Sequence, residues 1–275
     1  MSKDSARYFD ENYWVYASGW SADHLHYGFW HADTADLEQS LTNTVKDLLA
    51  HLELKKGDWV LDAGCGTGGT CRYIAEHFAL PVTGITFSKK LLAAARILSR
   101  NCSNRKLIRY YFRDYARTGF KQCGFTRIIA LESLCHGESK EAFLREAFRL
   151  LEPGGRLIVA DYFLDRDDLT PGEQTLCRQW LDGWAIPDLP VEKKLAEAAR
   201  GCGFMSVRCV DKTSLIRKSS RIMWEAGRSR LTADLLAVKE GKAPPSRVGH
   251  AVALMRQKEC LDRGIWKYCF FIADR

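Results

Sequence analysis

The sequence predicts an α/β fold: a doubly wound sheet with helices on both faces and helical cap insertions. Three observations carry this. The apolar run Trp59-Val60-Leu61 ends in Asp62, then passes through Gly64, Gly66, Gly68 and Gly69 into Cys71-Arg72-Tyr73-Ile74-Ala75, which reads as strand, tight turn and helix N-terminus. Five β/α alternations run from this region. After an insertion the chain closes on helix, strand, a long insertion and strand, which brings the strand count to seven. The whole chain, residues 1–275, reads as one unit, with no internal repeat, low-complexity tract or interdomain linker.

The N-terminal stretch, about residues 1–35, is rich in aromatics: Tyr8, Phe9, Tyr13, Trp14, Tyr16, Trp20, Tyr27, Phe29 and Trp30, with His24 and His26 among them. Its first half suits a helix, and Gly19 and Gly28 interrupt the second half. Such a segment either packs its rings on the core or closes over a site as a lid, since aromatic faces hold cations. In the second case Tyr16, Trp20 and His26 are candidate substrate contacts. Leu37, Leu41, Val45, Leu48 and Leu49 recur at helical spacing between Asp36 and His51.

The central strand and glycine turn come next. Glycine lets the backbone turn sharply and approach a ligand closely. The helix start beyond it, near residues 70–79, offers unpaired N–H groups to a carboxylate or phosphate. Pro81–Thr86 reads as the second strand, and Ser88 caps a helix carrying Leu91, Leu92, Ala95 and Leu98 on one face. Leu107–Phe112 reads as the third strand, closed by Arg113-Asp114-Tyr115, and Thr126–Leu131 as the fourth, running into Glu132-Ser133-Leu134-Cys135-His136. Ligands of doubly wound sheets bind outside the C-terminal ends of the strands, so Glu132 and His136 stand where a substrate would meet a cofactor. Ser139 caps the next helix, Glu152-Pro153-Gly154-Gly155 turns, and Arg156–Tyr162 is the fifth strand. Residues 164–190 interrupt the alternation and read as a cap holding Trp180 and Trp184, further candidate substrate contacts. Val191–Cys202 and Phe204–Val210 restore helix and strand. A second cap, about 214–262, carries the basic stretch from Lys212 to Arg230, either a solvated helix face or an anion site. Lys267–Ala273 is the last strand.

Composition narrows the function. A net charge of +7 on 275 residues does not point to nucleic acid; it is compatible with an anionic substrate or peripheral membrane contact. Ten cysteines without a Cys-x-x-Cys pair argue against zinc and disulfide frameworks, so no metal is expected and reduced thiols in the cytoplasm are the simplest account. The polar start Met1-Ser2-Lys3-Asp4-Ser5 and the lack of an apolar run of roughly 18 residues predict neither signal peptide nor membrane span. Association into a homo-oligomer is left open.

Gly64-x-Gly66-x-x-Gly69 fits a dinucleotide fingerprint, but that pattern wants an acid about 20 residues on, and the second strand ends in Thr86. Asp62-x-Gly64-x-Gly66-x-Gly68 instead resembles the first motif of the class I S-adenosylmethionine (SAM) methyltransferases, whose fold is Rossmann-like with seven strands, the last reversed. Gly84-Ile85-Thr86-Phe87-Ser88 is similar to the second motif of the sterol and tocopherol C-methyltransferases. Ile129-Ala130-Leu131-Glu132-Ser133-Leu134-Cys135-His136 is similar to the sterol enzymes' Ile-Glu-Ala-Thr-Cys-His signature, and Arg149–Leu157 to the family's Pro-Gly-Gly turn. The resemblance is continuous over residues 59–163 and weak over the N-terminus and caps. It implies SAM as the methyl donor, with Asp62, Gly64, Gly66, Gly68, Thr86, Asp114, Tyr115 and Leu131 around it. It also implies a small, lipophilic or prenylated acceptor, methylated at carbon with Glu132 as base and His136 as its partner or substitute. Methylation at nitrogen or oxygen, a nicotinamide oxidoreductase and a non-catalytic SAM-binding subunit are the other readings.

Overall fold

The computed structural model describes residues 3–275. The helices are α1 (Lys3–Gly19), α2 (Leu37–Leu52), α3 (Gly69–Phe78), α4 (Lys89–Leu98), α5 (Lys140–Leu150), α6 (Pro171–Gly183), α7 (Glu192–Gly201), α8 (Thr213–Lys239) and α9 (Ser246–Asp262). The strands are β1 (Val60–Ala63), β2 (Val82–Thr86), β3 (Ile108–Phe112), β4 (Phe125–Leu131), β5 (Leu151–Leu164), β6 (Ser206–Asp211) and β7 (Trp266–Asp274). They form one sheet in the order β3-β2-β1-β4-β5-β7-β6. The first five strands are parallel, and β7 runs antiparallel to both β5 and β6. This is the expected doubly wound, Rossmann-like seven-stranded sheet. The order reverses between β1 and β4, so the glycine turn after β1 opens at a topological switch point.

The central strands read as unbroken apolar runs because both of their faces are covered. In β4, Ile128 and Ala130 join one hydrophobic cluster with α5 and α7, whereas Ile129 and Leu131 join the other with α2, α3 and the caps. Each fully buried leucine or isoleucine of this kind contributes about 1.5–3 kcal/mol relative to exposure. The caps read from the sequence are present, the Ser88 and Ser139 side chains accepting from the N–H groups of Leu91 and Ala142, and the Asp36 side chain caps α2 in the same way from Gln39.

The Pro-Gly-Gly turn differs from expectation in one respect. It does not precede the fifth strand but bulges out of it. Phe125 pairs with Leu151 and Arg127 with Arg156, so Glu152–Gly155 loop out between two paired stretches of β5. Gly154, at φ 78°, takes the left-handed turn this requires, and its N–H donates to the Arg275 carbonyl.

The aromatic N-terminal stretch divides between its two readings. Tyr8, Tyr27 and Phe29 are buried in the main core. Tyr16, Trp20, His24 and His26 border a cavity at the C-terminal ends of the parallel strands. The Asp10 carboxylate fastens α1 to α4, accepting from the Ser88 hydroxyl at 2.5 Å.

Candidate active site

The cavity opens to solvent, and the space within it, mouth included, is about 1340 Å³. One wall is the glycine turn and the start of α3: Asp62, Gly64, Cys65, Gly66, Thr67, Gly69 and Thr70, with Thr86 and Ser88 beside them. A second comes from the end of β4: Leu131, Glu132, Ser133 and His136. Segment 19–27 forms the roof, and Trp184, Met223, Ala226, Arg230, His250 and Leu254 bring in the cap helices.

Each glycine of the turn does different work. A Cβ on Gly64 would lie 2.3 Å from the Ser133 Cβ, so Gly64 lets the turns after β1 and β4 touch, and the Ser133 hydroxyl donates to Ala63 O at 2.6 Å. A Cβ on Gly68 would strike the Tyr110 hydroxyl at 2.2 Å. Among the described residues only Leu25, at 3.5 Å, lies near a Cβ on Gly66, which leaves bare backbone facing the cavity. Gly68 is the N-cap of α3 and caps it with no side chain, so the first N–H groups of that helix remain for a ligand.

Asp62 is buried at the floor. Burial pushes its carboxyl up to about 7, only partly offset by the Cys71 thiol donating at 3.2 Å. A thiol is a weak donor, so this carboxylate lacks a compensating cation. A ligand ammonium would supply one, as the bare Gly66 backbone and the open helix start would accommodate the rest of an amino-acid-like ligand. The residues present therefore fit SAM. Asp62, Gly66, Thr67, Gly69, Thr70, Thr86 and Leu131 would hold it.

Glu132 follows β4 with its backbone at φ 47°, a left-handed conformation that costs a non-glycine residue on the order of 1–3 kcal/mol. Its Oε1 accepts from the Tyr27 N–H and the Tyr268 hydroxyl, each at 2.8 Å, and its Oε2 from the Tyr162 hydroxyl. Burial nonetheless raises its carboxyl to about 8, outweighing the three donors that favour the charged form. Tyr162 and Tyr268 are direct cross-strand partners of β5 and β7, which places both hydroxyls on one carboxylate. Around them stand Tyr27, Trp184 and Trp266 in edge-to-face contacts.

His136 borders the same cavity but does not pair with Glu132. Its Nδ1 lies 3.4 Å from Ala185 O and its ring meets Phe9 edge-on, and burial lowers its pKa to about 4. His24 and His26 contact each other at 3.2 Å, and burial lowers them to about 4 and about 3. All three are neutral imidazoles at physiological pH.

Four expected contacts lie outside the cavity wall. Gly68 backs onto Tyr110. The Asp114 carboxylate accepts from the Ala116 N–H at 2.9 Å in a local turn. Tyr115 is buried on the opposite face of the sheet, where its hydroxyl donates to Ser133 O and its ring packs on Phe143. Trp180 is a second-layer ring behind Tyr162 and Trp184. Conversely, Tyr162, Tyr268 and His250 were not anticipated, and Arg230 only as one member of the basic stretch read as a solvated face or an anion site. Both tyrosines lie in stretches buried without a break, Leu157–Phe163 of β5 and Tyr268–Ala273 of β7, so nothing local marks them.

The family described as "Methyltransferase domain" matches residues 61–159, from β1 into β5. The chain is 26% identical over 235 residues to the O-methyltransferase resE of Aspergillus sclerotiorum, covering 84% of this chain and 88% of that protein. Its fold is similar to that of the [4+2]-cyclase SpnF, with a TM-score of 0.83 and 22% identity over 100% of this chain and 96% of the other. It is also similar to that of the geranyl diphosphate C-methyltransferase from Streptomyces coelicolor A3(2), solved with S-adenosyl-L-homocysteine, with a TM-score of 0.75 and 18% identity over 99% and 97%. With the domain matched across the strands that build the glycine wall, and that wall shaped for an amino-acid-like cofactor, the chain is a class I SAM-dependent methyltransferase.

Proposed function

We propose that this enzyme methylates a carbon atom of a small lipophilic or prenylated alkene, and that Glu132 accepts the proton the methylated cation loses. The observation that carries this reading is the Glu132 carboxyl on the cavity wall, raised to about 8 within a shell of aromatic rings. SAM, when bound, supplies an electrophilic methyl group. The protein supplies position, holding the acceptor at roughly 3–3.5 Å in near-attack geometry. The N-terminal segment acts as a lid that excludes water. The faces of Tyr16, Trp20 and Trp184 stabilise positive charge on the acceptor. A carboxylate has about four acceptor positions; three on Glu132 are filled, and the fourth takes the proton. The fold likeness to an enzyme acting on geranyl diphosphate supports a prenylated acceptor. Ten cysteines that are all free fit a cytoplasmic setting.

The test is Glu132→Gln, which keeps the shape and the contact with Tyr27. Turnover is expected to fall on the order of 100-fold, as for loss of a general base, with SAM affinity by calorimetry little changed and with diverted alkene or water-adduct products. Full activity in both Glu132→Gln and His136→Ala would end this assignment.

A second reading is methylation of a hydroxyl or amine. It is favoured by the neutral imidazoles of His24, His26 and His136 on the same cavity, which can accept a hydroxyl proton, and by the relative named as an O-methyltransferase. Mass spectrometry of product labelled from SAM in a small-molecule extract distinguishes a new C–CH3 bond from O–CH3 or N–CH3.

A further inference from the structure

We propose that Arg230 forms an anion subsite in the acceptor half of the cavity, so that the acceptor is an apolar molecule bearing a carboxylate or phosphate. This rests on the reading above only in placing the acceptor beside Glu132. Most cations of the stretch from Lys212 to Arg230 are engaged at the surface. Lys212 reaches Asp47, Arg217 reaches Asp262, and Arg221 reaches Glu225. Lys218 lies over Trp30, and Arg228 over Trp224. Of these residues, Arg230 alone borders the cavity.

Its surroundings leave positive charge uncompensated. Arg230 Nε lies 2.7 Å from Asp234 Oδ2, and Arg247 Nε lies 2.5 Å from Asp234 Oδ1. Two guanidinium groups thus share one carboxylate, which is itself 1% exposed. The facing elements add nothing to cancel the excess. On α9, His250 is neutral, lowered to about 3 by burial and by Arg230. On α1, Glu11 is taken by Arg7 and by the Ser246 hydroxyl, and Trp14 packs its ring against both arginines of the cluster. A guanidinium has five N–H donors in a planar fork. Asp234 takes the Nε edge, and the terminal amino groups of Arg230 hydrogen-bond to no protein group among the described residues. The neighbouring wall is apolar: Met223, Ala226 and Leu254. An apolar surface beside one uncompensated fork selects an apolar molecule with an anionic end.

The experiment measures binding rather than turnover. Decanoate and its neutral analogue decanamide are titrated calorimetrically at pH 7.5 into protein saturated with S-adenosylhomocysteine. Decanoate is expected to bind at least about tenfold more tightly than decanamide, as for one charge-assisted hydrogen-bonded contact. Arg230→Gln should abolish that preference without changing S-adenosylhomocysteine affinity, and Arg230→Lys should keep part of it, with Asp234 still paired to Arg247 in both. Equal affinities in the native protein, no binding of decanoate at millimolar concentration, or a preference that survives in Arg230→Gln would each overturn the proposal. Because neither probe is methylated, a failure here leaves the role of Glu132 standing, and a fully active Glu132→Gln leaves this subsite standing.

Discussion

At Glu132 burial and hydrogen bonding pull the same proton in opposite directions. Removal from water favours the neutral acid, and the donors from Tyr27, Tyr162 and Tyr268 favour the carboxylate; burial wins and the group titrates near 8. The balance can be moved one donor at a time. Tyr268→Phe removes a hydroxyl without opening a cavity, so the charged form loses support and the pKa rises further. A base must be deprotonated to act, so the acidic limb of log(kcat/KM) against pH should shift upward by roughly half a unit to one unit. A pH–rate profile identical to the native one would show that this hydroxyl does not tune the reactive carboxyl. The positions of Glu132 and Asp62 were legible in the sequence because each ends an apolar run: Glu132 directly follows β4, and Asp62 comes after Val60 and Leu61 near the end of β1. The Tyr162 and Tyr268 hydroxyls were not, because they meet through the register of two strands about a hundred residues apart, and local patterning carries no register. Arg230 was hidden for a similar reason. It is one of several basic residues on α8, and only the packing of α8 on α9, with Gly227 against the backbone of Ala251, selects which one reaches the cavity.

Among the elements, the roof segment 19–27 connects two chemically distinct places. At one end Asp23 is fixed to the cofactor turn: its carbonyl accepts from the Thr67 hydroxyl at 2.8 Å, and its carboxylate from Arg72 at 2.7 Å. At the other, the Tyr27 N–H holds Glu132. Loosening the first end should therefore be felt at the second. Asp23→Ala is expected to admit water above Glu132, lower its pKa towards the ordinary carboxyl range and move the acidic limb of the pH–rate profile down. The opposite direction from Tyr268→Phe makes the pair diagnostic, and an unshifted profile would show the two ends to be independent. The parallel strands were readable to within a residue or two, since burial on both sheet faces of the central ones leaves continuous apolar runs; the exception is β5, which begins five residues early because its first pairing lies ahead of the bulged turn. The roof was readable only as an aromatic excess, because irregular backbone has no period to detect.

For the whole molecule, the buried titratable groups set how stability depends on pH. Asp62, Glu132 and Asp161 have folded pKa values of about 7, 8 and 6, above the ordinary 3.8, 4.5 and 3.8, so the folded state binds their protons more tightly. They withdraw stability as pH rises from about 4 towards 8. His24, His26, His136 and His250 are depressed from 6.5 to between about 3 and about 4, so they withdraw stability as pH falls below 6.5. Between about 4.5 and 6.5 the two sets oppose each other. The ligand-free protein should be most stable near pH 6, lose melting temperature between pH 6.5 and 8, and lose it again below pH 5. Calorimetric scans across this range test it, and Asp62→Asn with Glu132→Gln should flatten the alkaline side.

The cavity has a seam. The residues that would hold the methyl donor lie at the ends of β1, β2 and β4 and at the start of α3, on a sheet whose pattern is specified by burial. Much of the opposite wall is carried by α8, α9 and Trp184 at the end of α6, helices inserted between late strands and joined to one another through close crossings at Gly183, Gly227 and Gly249. The two halves answer to different parts of the chain. Change can therefore accumulate in the inserted helices and redirect the enzyme to a new molecule, while the machinery that delivers the methyl group is inherited untouched.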